Sequence, residues 1–235
     1  MRNNMIGRYA AVFMALCAIL CTECGHKKPT APRGYDIETK GIPKFVRLNY
    51  LDLDRIARIS KFRSAFGHSY SDDFEHCRSM KHYFEPKGDG SDWSTIPIYS
   101  PVSGTVWRMF EEWAGTQVWI STQEYPDISI AIFHIKLKDS LQIGQPVSRG
   151  QVLGNHIGGQ TMSDIAVSVN TTRGWKLISY FDVMTDSLFQ AYQARGVSSR
   201  DQLIISKEAR DADTLTCDGE SFTSQGQLED WVVLR

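Results

Sequence analysis

Between Ile96 and Val169 the chain reads as a series of short apolar segments: "IPIYSPVSGTVWRMF", "GTQVWIST", "DISIAIFHIKL" and "DIAVSV". Each is rich in Val, Ile and aromatic residues, and Gly, Pro, Asp and Ser stand between them. Segments this short and this β-branched predict antiparallel strands in a sandwich or barrel. The connection "IGQPVSRGQVLGNHIGGQT" carries glycine at 144, 150, 154, 158 and 159, which permits tight turns closed to other residues.

The chain has 235 residues, enough for one ordinary domain with appendages and a sizeable core. Lys and Arg total 26 against 27 for Asp and Glu, and no basic stripe stands out. That balance argues against a nucleic-acid partner. Contact with a membrane is expected only through the N-terminus.

That N-terminus has Arg2 and Arg8, then an apolar run from Tyr9 to Cys21. The run suits a signal-peptide core and falls short of the roughly 20 residues that span a bilayer. Residues 1–24 therefore read as a secretory or lipoprotein signal and imply export to the cell envelope. Cys24 is the lipidation candidate, followed by a polar tether over 25–45. Glu23 fits a lipobox poorly, so cleavage and lipidation both stay open. In an oxidising compartment Cys77 and Cys217 could pair, stapling the tail to the start of the domain, or remain two buried thiols.

The main β domain is read over 46–175. It opens with "PKFVRLNYLDLDRIARISKFRS", a strand turn and short helix, then an irregular polar stretch, "AFGHSYSDDFEHCRSMKHYFEPKGDGSDW". Polar loops of that length inside a domain usually carry function. Residues 176–235 read as a helical extension packed on the domain. Leu188, Phe189 and Tyr192 have helical spacing and Gly196 supplies a stop. Ser198 and Asp201 open a second helix, and "LEDWVVL" reads as a last strand.

Three segments occur in a telling order: "YSPVSGTV" (99–106), "FHIKL" with "IGQPVSRGQVLG" (133–154), and "DIAVSV" (164–169). Upstream lies "SKFRSAFGH". The set resembles the LytM or lysostaphin type of zinc peptidoglycan endopeptidase, peptidase family M-23, over about residues 59–170. The resemblance implies the duplicated-hybrid-motif fold, mainly β, a LytM-like antiparallel β-sandwich. In that family a His and an Asp from an early His-x-x-x-Asp motif hold zinc together with the second His of His-x-His. Two further histidines assist the bound water. Three protein ligands leave a position open for that water, whose pKa falls to about 7.

The carry-over is partial. His134 stands where the family has a water-assisting histidine and is the catalytic candidate. Asp164 stands at the first His of the pair. Ala166 stands at the metal-binding His and can ligate nothing. His82 falls in the place of the early motif with no Asp four residues on. His68 and Asp72 have the right spacing in the wrong place, with His76 four further on. The metal candidates are thus His82, His134 and Asp164, then His68 and Asp72.

His82, Asp164, His156 and Tyr83 are the expected cleft residues. Asp164 could pair with His134 or His82, replacing a lost metal by an ion pair. Lys81 beside Met80 brings biotin carriers to mind, but their glycine turn precedes the Lys, and here it follows the hairpin.

The expected function is an exported, non-catalytic LytM-like domain that binds peptidoglycan or regulates a cell-wall hydrolase, with no cofactor. The main alternative is an active zinc peptidase with a changed ligand set. The third is a structural, partner-binding lipoprotein working through its helical tail.

Overall fold

β6 (Ile128–Leu137) is the strand on which the sheet turns. Its first half, Ile128 to Ile132, pairs antiparallel with β9 (Ser163–Thr171), and its last residues, Ile135 to Leu137, pair with β8 (Val152–His156). His134 lies at the changeover with φ +62°. A left-handed backbone is costly for a residue with a Cβ and marks a position held by its surroundings. The computed structural model describes residues 34–90, 92–138, 141–159 and 161–235. The segment read above as a signal, and Cys24 with it, lie outside the described residues.

The remaining strands are β1 (Ile56–Ser60), β2 (His82–Pro86), β3 (Pro97–Tyr99), β4 (Gly104–Glu112), β5 (Gly115–Thr122), β7 (Pro146–Val147), β10 (Gly174–Ile178), β11 (Cys217–Asp218), β12 (Ser221–Phe222) and β13 (Trp231–Val233). The large sheet runs β13-β1-β2-β9-β6-β5-β4-β7, with β10 on β9 and β8 joining β3 to β6; β11 and β12 form a separate hairpin. Every strand pair is antiparallel. This is the mainly β, antiparallel architecture that the LytM resemblance implied. Gly154 is fixed by close approach: a Cβ there would lie 2.2 Å from the Lys136 carbonyl oxygen.

Successive side chains of a strand point to opposite faces. One face of the central strands buries Ile128, Ile130, Ile132, Ile165, Val167 and Val169 in the main core. The other buries Ala131, Phe133 and Ala166 with Phe62, Met80, Trp119 and Leu177. Each fully buried Ile or Val contributes about 1.5–3 kcal/mol.

Residues 34–45 of the stretch read as a tether lie on the domain. Tyr35 N donates to Asn170 O, α1 (Ile37–Lys40) is capped by Asp36, and Phe45 is buried. The tail is mixed rather than simply helical. α2 (Asp186–Gln193) is capped by Thr185, buries Phe189 and Tyr192, and is followed by Gly196 in the left-handed region. The second helix, α3 (Lys207–Ala212), begins after Ser206, whose hydroxyl accepts from Ala209 N. Ser198 and Asp201 instead precede and enter a 3-10 turn over Arg200–Leu203. β13 pairs with β1 and closes the sheet edge, and Cys77 and Cys217 form a disulfide. No helix among the described residues is long and apolar enough to cross a membrane.

Candidate functional site

β2 and the residue before it alternate along "KHY". Lys81 and Tyr83 line a cleft of about 750 Å³, while His82 between them points to the opposite face. Asp164, on β9 beside Tyr83, lies beneath the cleft floor and is fully buried. Lys81, 2 % exposed, directs its ammonium at Asp164 Oδ2. His134 Nε2 lies 3.0 Å from Asp164 Oδ1. Its Nδ1 lies 3.0 Å from the Ala114 carbonyl oxygen.

The Ala114 carbonyl can only accept, so Nδ1 carries a proton, and a carboxylate beside Nε2 favours a second proton there. Burial pulls the His134 pKa down, but the bond and charge of Asp164 outweigh it and hold it above the usual histidine range. Burial pushes Asp164 up, but the Lys81 charge and the His134 contact outweigh that and keep it a carboxylate. Burial opposes the charge on Lys81, and Asp164 more than offsets it, so the ammonium persists. One buried carboxylate thus faces both Lys81 and His134.

The ammonium is also caged. Its nitrogen lies 4.2 Å from the Phe133 ring centre, 4.8 Å from Tyr83 and 5.2 Å from Tyr70. Aromatic faces attract a cation, more strongly when water is excluded. Gly67, at φ +76°, lets the Tyr83 ring approach: a Cβ there would lie 2.2 Å from the Tyr83 hydroxyl. Phe66 and Trp113 add aromatic surface to the walls, and Glu112 and Glu220 add acidic groups.

Of the residues expected in the cleft, the structure brings together His134, Asp164 and Tyr83. His82 is elsewhere, its Nδ1 2.8 Å from Ser60 O and its Nε2 2.9 Å from Ser179 Oγ. Burial lowers its pKa to about 4. His156 is also buried, edge-on to Trp93 at 4.7 Å, and its Nδ1 accepts from Gly158 N. Burial lowers it to about 4 as well. His68 lines the cleft, 3.4 Å from Glu220, and burial lowers its pKa. Asp72 accepts backbone N–H bonds from Phe74, Glu75 and Leu177. His76 is exposed.

The residues present do not fit a catalytic zinc. Among the described residues, no group of three His, Cys, Asp or Glu is placed to hold a metal ion. Asp164 is neutralised by Lys81, and Ala166 packs in the second apolar cluster. Sequence reasoning missed Lys81 as the partner of Asp164. The available signal was a lysine in strand alternation with Tyr83, a position that calls for an acid nearby if the face is buried.

No family model matches the chain, and no curated protein matches it. Solved structures do. The SpoIIQ–SpoIIIAH pore-forming complex aligns at 13 % identity over 60 % of this chain and 91 % of that one, with TM-score 0.40. A peptidase M23 structure from Pseudomonas aeruginosa aligns at 17 % identity over 61 % of this chain and 54 % of that one, with TM-score 0.33. Lysostaphin aligns at 14 % identity over 50 % of this chain and 52 % of its own, with TM-score 0.31. The chain spans about half the length of the last two. The likeness is one of fold alone.

Proposed function

We propose that the protein is an exported envelope protein whose cleft binds peptidoglycan without cutting it. The observation that carries this reading is the Lys81–Asp164–His134 cluster. The carboxylate beneath the floor has its charge met by a side-chain ammonium, where a hydrolase of the resembling type would present a ligand set to a metal. Above it, Phe66 and the exposed Trp113 offer apolar faces to sugar rings, and Glu112 and Glu220 offer acceptors to N–H and O–H groups. The charged signal-like segment at 1–24 supports an envelope address.

The test is co-sedimentation of the protein with purified peptidoglycan, with and without added zinc, together with assay of released soluble fragments. Retention without release is expected, and it weakens in Trp113→Ala. Zinc-dependent release that is lost in Asp164→Asn would establish a hydrolase instead. No retention would direct the cleft to a protein partner.

A further inference from the structure

β4 is paired along its whole length on one side only. β5 covers its whole length, from Gly104 opposite Thr122 to Glu112 opposite Gly115. On the other side β7 reaches only Gly104 and Thr105, and Gln145 and Gly144 bond Val106. From Trp107 to Glu112 no strand among the described residues covers that edge. An open strand edge is a template for another strand. The side chains along it are unusual for a bare edge: Trp107 is 44 % exposed and Phe110 36 %, and Trp113 at the turn is 79 % exposed.

The sequence of this edge is complementary to itself. Arg108, Phe110 and Glu112 share one face: the Arg108 guanidinium lies 4.1 Å from the Phe110 ring centre, and Glu112 lines the cleft. Met109 and Glu111 point the other way. Two copies related by a two-fold axis normal to the sheet keep their faces, so the axis must lie between the strands with one residue facing its own copy across it. An axis at Glu111 opposes two carboxylates. An axis at Met109 sets Arg108 against Phe110. An axis at Phe110 sets the two Phe110 rings side by side and Arg108 opposite Glu112 of the other copy, twice. Opposite charges directly across strands stabilise the pair and like charges oppose it.

We propose that β4 is a homodimerisation edge, pairing antiparallel with β4 of a second copy in the register that joins Arg108 to Glu112. The sheet then runs continuously through both copies, with both clefts on the same face. Glu112 belongs to both the edge and the cleft wall, so its variants are read here by dimerisation alone.

Sedimentation of the full chain over the micromolar range tests it, beside Arg108→Glu, Glu112→Arg and the variant carrying both. A concentration-dependent dimer is expected. Each single change weakens it at least about tenfold and the double change restores it. Phe110→Cys in the otherwise native chain should form an intermolecular disulfide under mild oxidation, which holds whether or not a charge variant folds. A monomer throughout, a dimer indifferent to both single changes, or no Phe110→Cys cross-link would each overturn the proposal.

Discussion

The ammonium of Lys81 meets the carboxylate of Asp164 between β9 and the residue preceding β2, with the lysine side chain 2 % exposed and the aspartate fully buried. Neither group reaches bulk water, so the ammonium depends on the carboxylate for its charge, while the carboxylate has His134 beside it as well. Removing one partner of a buried pair leaves an uncompensated ion, at a cost of about 3–5 kcal/mol. Asp164→Asn, which strands the buried Lys81 ammonium, should therefore lose that much stability in chemical denaturation, and Lys81→Met should lose less, because His134 still faces the carboxylate. Combining it with Asp164→Asn should cost less than the two single changes together, because the orphaned charge is gone.

His134 sets an alkaline limit. Its folded pKa lies above its unfolded value of about 6.5, so the folded state binds the extra proton. The stabilisation is complete below about 6.5 and is lost as pH rises through the folded value. Melting temperature followed upward from about pH 6.5 should fall, and His134→Asn should flatten that limb.

His82 and His156 act with the opposite sign. Burial holds both at about 4 in the folded state, against about 6.5 when unfolded. As pH falls from about 6.5 to about 4, the unfolded chain gains protons that the folded one refuses, and stability declines by roughly 3 kcal/mol for each. Denaturation midpoints across that window should show the decline, and His156→Gln should reduce its slope.

Ala166→His places a ring where the resemblance puts a metal ligand, yet it should not make a zinc protein. Ala166 is 2 % exposed and packs against the second cluster, so overpacking should cost about 1–3 kcal/mol. Lys81 would still occupy Asp164. Elemental analysis should find no stoichiometric zinc, and Ala166→His combined with Lys81→Ala is the variant in which zinc uptake would first be expected.

The Cys77–Cys217 bond closes a loop of sequence separation 140. Its reduction should cost about 2–5 kcal/mol. Unfolding followed with and without a dithiol reductant measures this directly.

The β-rich architecture was legible because strand alternation and glycine turns are local signals. "DISIAIFHIKL" and "DIAVSV" became β6 and β9, although the bend that places His134 was not visible. Less legible was which face each side chain takes. Lys81 and Tyr83 reach the cleft and His82 does not, a difference of one residue in register that spacing alone leaves open. The second helix begins at Ser206 rather than Ser198 because the Ser206 hydroxyl takes the cap bond and Ser199, at the head of the 3-10 turn, makes none. Glu220 and His68 meet through distant loops, a juxtaposition that no local pattern announces.

The disulfide makes residues 77 to 217 a covalent ring with two tails. Lys81, His134 and Asp164 all lie within the ring, while β1 and β13 lie on the tails and clasp each other beside β2. A single backbone cut inside the ring would open a circle without releasing a fragment. A cut in either tail would shed a piece that only sheet pairing and packing retain. The ring therefore keeps a nicked Lys81–Asp164–His134 floor covalently joined, whereas Phe66, His68, Tyr70 and Glu220, which line the cleft from the tails, have no such tie.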